Sequence, residues 1–302
     1  MLRTMKKNLL IATLWATLLV STAFSAPAGA SEISDVSLNG LLEASGIRTV
    51  VSQFPDQLRM RMQAARQRDR LIHGLPSMSD DDYRALVDTM VDAFRPAFIL
   101  KAIGNEVRQS VSEQDAGTML AWYDSPLGKK ISRAEDDSET PQAIRDMAKS
   151  AQKLMADKER VAFALKLDQL LHMTDMSIQV RANTRVAMLV AFSTKENEHQ
   201  PANLKALRNR ITAGLQKKRY KIRQSVVLSV LYAYRQIDMK ALEQYRAFLG
   251  TPAALSFNQA LMAGMDAGMS RAIDHLARSL ENLMKHRHLQ KAQAGPGSAG
   301  QA

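Results

Sequence analysis

Two short stretches decide how this chain folds: Trp122-Tyr123-Asp124-Ser125-Pro126-Leu127-Gly128-Lys129-Lys130 and Phe248-Leu249-Gly250-Thr251-Pro252. Proline removes a backbone donor and disfavours helix at the residue before it. It suits the first position of a new helix, with the preceding hydroxyl as the cap. Ser125-Pro126 and Thr251-Pro252 therefore each read as a helix-corner-helix. The aromatic residues just before each corner are expected to pin its two helices together. Gly128 leaves room for a close crossing, and Lys129 and Lys130 are expected to face water.

Working outward, Trp122 to Pro126 aligns without gaps on Phe248 to Pro252. Each corner follows a short helix with its own cap, Ser112 or Asp238. Each precedes an apolar helix, with Ile131 or Phe257 in equivalent places. Upstream, Leu41-Leu42-Glu43-Ala44-Ser45-Gly46-Ile47 begins 85 residues before Pro126, and Leu170-Leu171-His172-Met173-Thr174-Asp175-Met176 begins 82 residues before Pro252. Matching order and nearly matching spacing read as one helical unit written twice.

The rest of the chain supports an all-α fold. Ser79 caps a helix whose first turn holds Asp80, Asp81 and Asp82, where the helix dipole favours negative charge. Tyr83, Leu86, Met90, Phe94 and Phe98 then recur at helical spacing on one face, with Pro96 near the last turn. Thr140-Pro141 opens another helix, expected to run past Met147, Leu154 and Val161 into Leu170-Leu171. Leu242, Tyr245 and Phe248 share a face behind Asp238. Between Pro201 and Tyr234, Leu204, Leu207, Ile211, Leu215, Ile222, Val226 and Val230 keep near-helical spacing. Only Val226 to Leu231 has strand-like content, and its flanks are helical. The expected architecture is a helical bundle of two weakly similar multi-helix units, each with a corner at Ser/Thr-Pro. The units span 31–138 and 139–290, and the Gly/Ala/Ser-rich 291–302 is expected to be a disordered tail.

Residues 1–30 carry the pattern of a cleaved signal peptide. Arg3, Lys6 and Lys7 form a positive start, Leu9 to Leu19 is mostly apolar, and Ala28-Gly29-Ala30 is a small-x-small cleavage site. The apolar run is shorter than the ~20 residues of a membrane span. The expected location is periplasmic. With no cysteine, the chain has no lipid-modified cysteine and no disulfide, so its fold rests on its core alone. Removing the leader leaves 272 residues, with 38 basic against 30 acidic side chains and a net charge of +8. A basic exported protein suits acidic partners, anionic lipid or lipopolysaccharide. Nucleic acid is a poor candidate outside the cytoplasm.

Trp122 to Lys130, late in a helical unit behind a signal peptide, resembles the motif of the bacterial family called domain of unknown function 2059. Leu41-Leu42-Glu43-Ala44-Ser45-Gly46 is similar to that family's opening helix. The resemblance covers roughly residues 35–137. It is fainter in the second half, where Ala254 replaces the glycine and Leu255 the lysine. It implies an exported helical protein, and it supplies no activity and no catalytic residues.

The chain's own residues carry few signs of catalysis. HExxH, GxSxG and a Walker loop are all missing. The pair His286 and His288 points to different sides of a helix, which suits a solvated helix end better than a metal. Glu135-Asp136-Asp137 and Glu139 read as an exposed polar linker. Met262, Met265 and Met269 share a helix face, where thioethers fill cores or pliable grooves more often than they hold copper. On that helix Ala260, Gly264 and Gly268 stand four apart, which lets another helix approach closely, from this chain or from a second subunit. No catalytic, metal or cofactor-binding residue is assigned.

The strongest lead is basic. Between Glu198 and Asp238 stand Lys205, Arg208, Arg210, Lys217, Lys218, Arg219, Lys221, Arg223 and Arg235 with no acidic residue. Residues 205–223 are a candidate surface for anionic lipid or lipopolysaccharide. The alternative is an ordinary charged outer face over a core of Ile211, Leu215, Ile222 and Val226. Arg59, Arg61, Arg66, Arg68 and Arg70 form a smaller cluster read the same way. Three functions follow: an interaction module for a protein partner, in envelope maintenance, with an apolar groove; peripheral binding to an anionic envelope surface; or an enzyme of unrecognised type. No cofactor is called for, and a homo-oligomer is left open.

Overall fold

A computed structural model describes residues 31–73, 79–192 and 201–293. The expected leader lies outside these residues, as does the tail beyond residue 293. The described residues are helical without a strand, and Glu32 and Ser112 meet in one isolated bridge. Among them, no helix is long and apolar enough to cross a membrane.

The chain begins with α1 (Asp35–Ala44), α2 (Ile47–Ser52), α3 (Phe54–His73) and α4 (Asp80–Ala93). Then come α5 (Pro96–Ser110), α6 (Glu113–Asp124) and α7 (Pro126–Ser138). Beyond residue 138 follow α8 (Pro141–Ala156), α9 (Lys158–Leu171), α10 (Met173–Phe192) and α11 (Pro201–Gln216). The last three are α12 (Arg219–Ala233), α13 (Met239–Leu249) and α14 (Pro252–Gln293). The side chains of Ser79, Ser112, Thr140 and Asp238 each accept from the backbone N–H three residues on, which satisfies a donor left free at the helix start.

Three helices stop earlier than their periodicity suggests. The face from Tyr83 to Phe98 is split, because α4 ends at Ala93 and Pro96 is the first residue of α5. The new helix resets the period, so Phe94 is buried while Phe98 is 52% exposed. The helix opened at Thr140 ends at Ala156, and the Asp157 side chain caps α9 through the Arg160 N–H. The stretch from Pro201 to Tyr234 breaks at Lys217-Lys218, between α11 and α12. His172 ends α9 in the left-handed region, with φ 50°.

The larger apolar core joins Leu41, Ile47, Met90 and Phe94 to Ile99, Ile103 and Val107 of α5 and to Phe257, Ile273 and Leu276 of α14. It therefore draws on residues either side of position 138. The α5–α14 crossing is tight. A methyl at Gly264 would run into the Ile103 Cα, and one at Gly268 would stand 3.1 Å from the Ile99 Cα. The small-residue stripe of α14 is thus covered by α5 of the same chain. A second core gathers Ile131, Phe163, Leu167, Val230, Leu231, Leu242 and Leu249 from α7, α9, α12 and α13. Phe248 packs against both cores.

The two corners share one hydrogen-bond pattern. Ser125 Oγ donates to the Trp122 carbonyl at 2.6 Å and accepts from the Gly128 N–H at 2.9 Å. Thr251 Oγ1 donates to the Phe248 carbonyl at 2.7 Å and accepts from the Ala254 N–H at 3.4 Å. The first corner is the tighter, and a methyl at Gly128 would run into the Trp122 carbonyl oxygen. Gly128→Ala is expected to destabilise the protein by about 1–3 kcal/mol through overpacking. Gly117→Ala, where nothing lies within 4 Å of the added methyl, is expected to stabilise by up to about 1 kcal/mol. Urea unfolding midpoints check both.

Candidate functional site

The face of α7 that packs inward reads Gly128, Ile131, Glu135 and Ser138, at spacings of three and four. Glu135 was expected in an exposed linker. Instead it belongs to α7 and sits half-buried against two tyrosine hydroxyls. Its Oε1 accepts from the Tyr234 hydroxyl at 2.5 Å and from the Tyr245 hydroxyl at 3.0 Å. Trp122 stacks on Phe248 with centroids 4.2 Å apart and planes 10° apart. Tyr245 stands parallel to Trp122 at 5.9 Å and meets Tyr234 edge-on at 5.8 Å. The aromatic residues before the corners thus join one corner to the other. Tyr123 packs against the larger core.

Burial raises the Glu135 carboxyl above the usual carboxylate range, in spite of the two phenol donors that oppose the shift. Burial, then the Glu135 charge, raises Tyr123, Tyr234 and Tyr245 in turn. The phenols stay protonated at neutral pH, and those of Tyr234 and Tyr245 act as donors to Glu135. This cluster ties α7 to the end of α12 and to α13. The sequence offered one sign of it, the placement of Glu135 four residues after Ile131 on the same helix face.

Beside the end of α7 opens an apolar cleft of about 160 Å³. Phe54, Leu58, Phe94, Met147, Met188 and Met269 supply its walls. Two charged side chains reach it, Arg61 and Glu139. Arg61 has no carboxylate partner among the described residues, and burial pushes its guanidinium below its usual range. Burial, with Asp136 and Glu135 nearby, pushes Glu139 up to about 7. Of the other arginines expected in one cluster, Arg59 pairs with Asp56 at 3.2 Å, and Arg66 pairs with Asp80 and lies 4.1 Å over the Tyr83 ring. Arg68 is exposed, and the Arg70 side chain lies outside the described residues. Met269 lines the cleft, and Met265 packs on the larger core.

The basic stretch is divided in its use. Arg219 holds Asp175 with two N–H groups, one at 2.8 Å, and this lowers the Asp175 carboxyl. Arg223 donates to Asp168 at 3.0 Å, and that carboxylate is 3% exposed and also accepts from the Thr174 N–H and hydroxyl. Removing Arg223 would leave a buried carboxylate short of a charged partner. Arg208 donates to the Ser270 hydroxyl at 2.8 Å. Lys205, Arg210, Lys217, Lys218 and Lys221 are exposed. The arginines at 208, 219 and 223 therefore hold helices together. Beneath them, Leu215 and Ile222 are buried against Ile178 and Ala182.

His275 lies 3.6 Å from Asp92, and the side chains of His286 and His288 lie outside the described residues. Among the described residues, no group of three or more His, Asp or Glu side chains is placed to hold a metal.

Residues 108–159 match the family described as "Uncharacterized protein conserved in bacteria (DUF2059)". The match spans α6 to α8 and so contains the first corner, Glu135 and Glu139. It leaves out Leu41 to Gly46 and the second corner. No curated protein and no solved structure matches the chain.

Glu139 sets a pH dependence with a definite sign. The unfolded chain loses this proton near 4.5, while the folded protein keeps it to about 7. The stabilisation is complete below the lower value and is lost as pH rises through the upper one. Glu139→Gln is expected to match the parent near pH 4.5 and to grow more stable relative to it up to pH 7. Thermal melts across this range read the difference, and a gap independent of pH would contradict it.

Proposed function

We propose that this protein is an exported interaction module, serving cell-envelope maintenance, whose apolar cleft seats an apolar side chain of a protein partner next to a carboxylate. The cleft carries this reading. Its volume of about 160 Å³ is close to that of an engineered apolar cavity of about 150 Å³ that takes up benzene. It therefore suits one ring or one branched aliphatic side chain, the kind of buried anchor that dominates binding energy at interfaces. Met147, Met188 and Met269 make its walls adaptable, because an unbranched thioether reshapes to its neighbour. Arg61 supplies the charge complementarity, since a half-buried guanidinium with no carboxylate partner among the described residues is matched by one brought from outside. The leader pattern in residues 1–30 supports action beyond the cytoplasm.

Selection of a random peptide library on the immobilised whole protein tests this. Enriched peptides are expected to share a bulky apolar residue flanked by Asp or Glu. Their binding is expected to fall by about tenfold or more in Arg61→Gln and in Met188→Glu. Peptides with no apolar consensus, or binding indifferent to both substitutions, would contradict the reading.

A further inference from the structure

We propose that a second cleft, between α7 and the turn that joins α12 to α13, binds a phosphate ester that also carries hydroxyl groups. It shares no residue with the apolar cleft. Its volume is about 430 Å³, within the range of small-molecule sites. A bare oxyanion would leave most of that space empty.

The walls carry the appropriate chemistry. Lys129, Lys130 and Arg133 come from the outer side of α7 and Arg235 from the turn, against a single carboxylate, Asp137. The lysines are held only loosely. Lys129 lies 3.2 Å from Asp124 and Lys130 lies 3.7 Å from Asp238, with all four side chains at least half exposed. Exposed pairs of this kind contribute about 0–1 kcal/mol, so a dianion displaces them at little cost. Asp238 in any case already serves as the cap of α13. Arg133 has no ion-pair partner among the described residues.

Arg235 is the fixed member. Its guanidinium lies 3.8 Å over the buried Tyr232 ring and donates one N–H to the Tyr232 carbonyl at 2.6 Å. A guanidinium has five N–H donors in a planar fork, so donors remain for phosphate oxygens. Holding the fork beforehand lowers the entropy lost when the anion binds. Gln236 and Asp137 add an amide and a carboxylate to the same walls. These groups suit hydroxyls, which donate to a carboxylate and accept from an amide. A soluble ester and a lipid headgroup both present this chemistry.

Calorimetric titration of the whole protein with glycerol 3-phosphate, beside glycerol alone, tests the site. The ester is expected to bind and glycerol not to. The double variant Lys130→Gln/Arg133→Gln is expected to weaken the ester by about tenfold or more. Lys158→Gln/Lys166→Gln, which removes the same charge from exposed positions on α9, is expected to leave it unchanged. Matched thermal melts confirm that both variants fold. Flotation on phosphatidylglycerol vesicles, with phosphatidylcholine beside them, separates the two sources. Flotation lost in the cleft variant assigns the site to a lipid headgroup, and ester binding without flotation assigns it to a soluble ester. Failure of the ester to bind, or an equal loss in both double variants, would overturn the proposal.

Discussion

The stack of Trp122 on Phe248 is the contact on which the arrangement of this molecule depends. It joins the ends of α6 and α13, each one turn before a Ser/Thr-Pro corner. An aromatic pair contributes about 0.5–1.5 kcal/mol beyond the area it buries, so the stack alone is a modest force. Its effect is geometric. Ser125 fixes where α7 starts, and the stack fixes the corner against the second core. From that start α7 presents two sides and an end. Glu135 faces the tyrosines, Lys129, Lys130 and Arg133 line the basic cleft, and Glu139 ends the helix at the apolar cleft.

Two acids, one buried and one half-buried, show how the fold treats charge. Asp168 receives two hydrogen bonds from Thr174 and one from Arg223, so its charge is matched where it lies. Glu135 receives two phenol donors and, among the described residues, no cation in direct contact, and its carboxyl is pushed upward. The first arrangement stabilises an ion and ties α9 to α12. The second makes ionisation costly and ties α7 to α12 and α13. Both fasten helices of the second core, one by a paired charge and the other by a partly suppressed one.

Helix starts were legible because a cap is a local device. Ser79, Ser112, Ser125, Thr140 and Asp238 all act where their side chains and the following pattern place them. Helix ends were less so. Asp157 and the Lys217-Lys218 break lie in stretches where apolar spacing continues across the interruption, so periodicity alone joins what the chain divides. The Glu135 cluster was hidden for another reason. Tyr234 stands 99 residues away and Tyr245 stands 110, and no spacing rule links such positions. Charge alone also left the partners of the arginines unread. Arg61 lines an apolar cleft, and Arg219 and Arg223 pair with acids from α10 and α9.

The most direct test of the role given to the stack is a double-mutant cycle on Trp122→Leu and Phe248→Leu. Urea unfolding of the four proteins would be followed by far-ultraviolet circular dichroism. If the two rings hold the corners together, the cycle gives a coupling of about 0.5–1.5 kcal/mol. Strictly additive losses would mean that the corners are placed independently and that the stack is a consequence of their position.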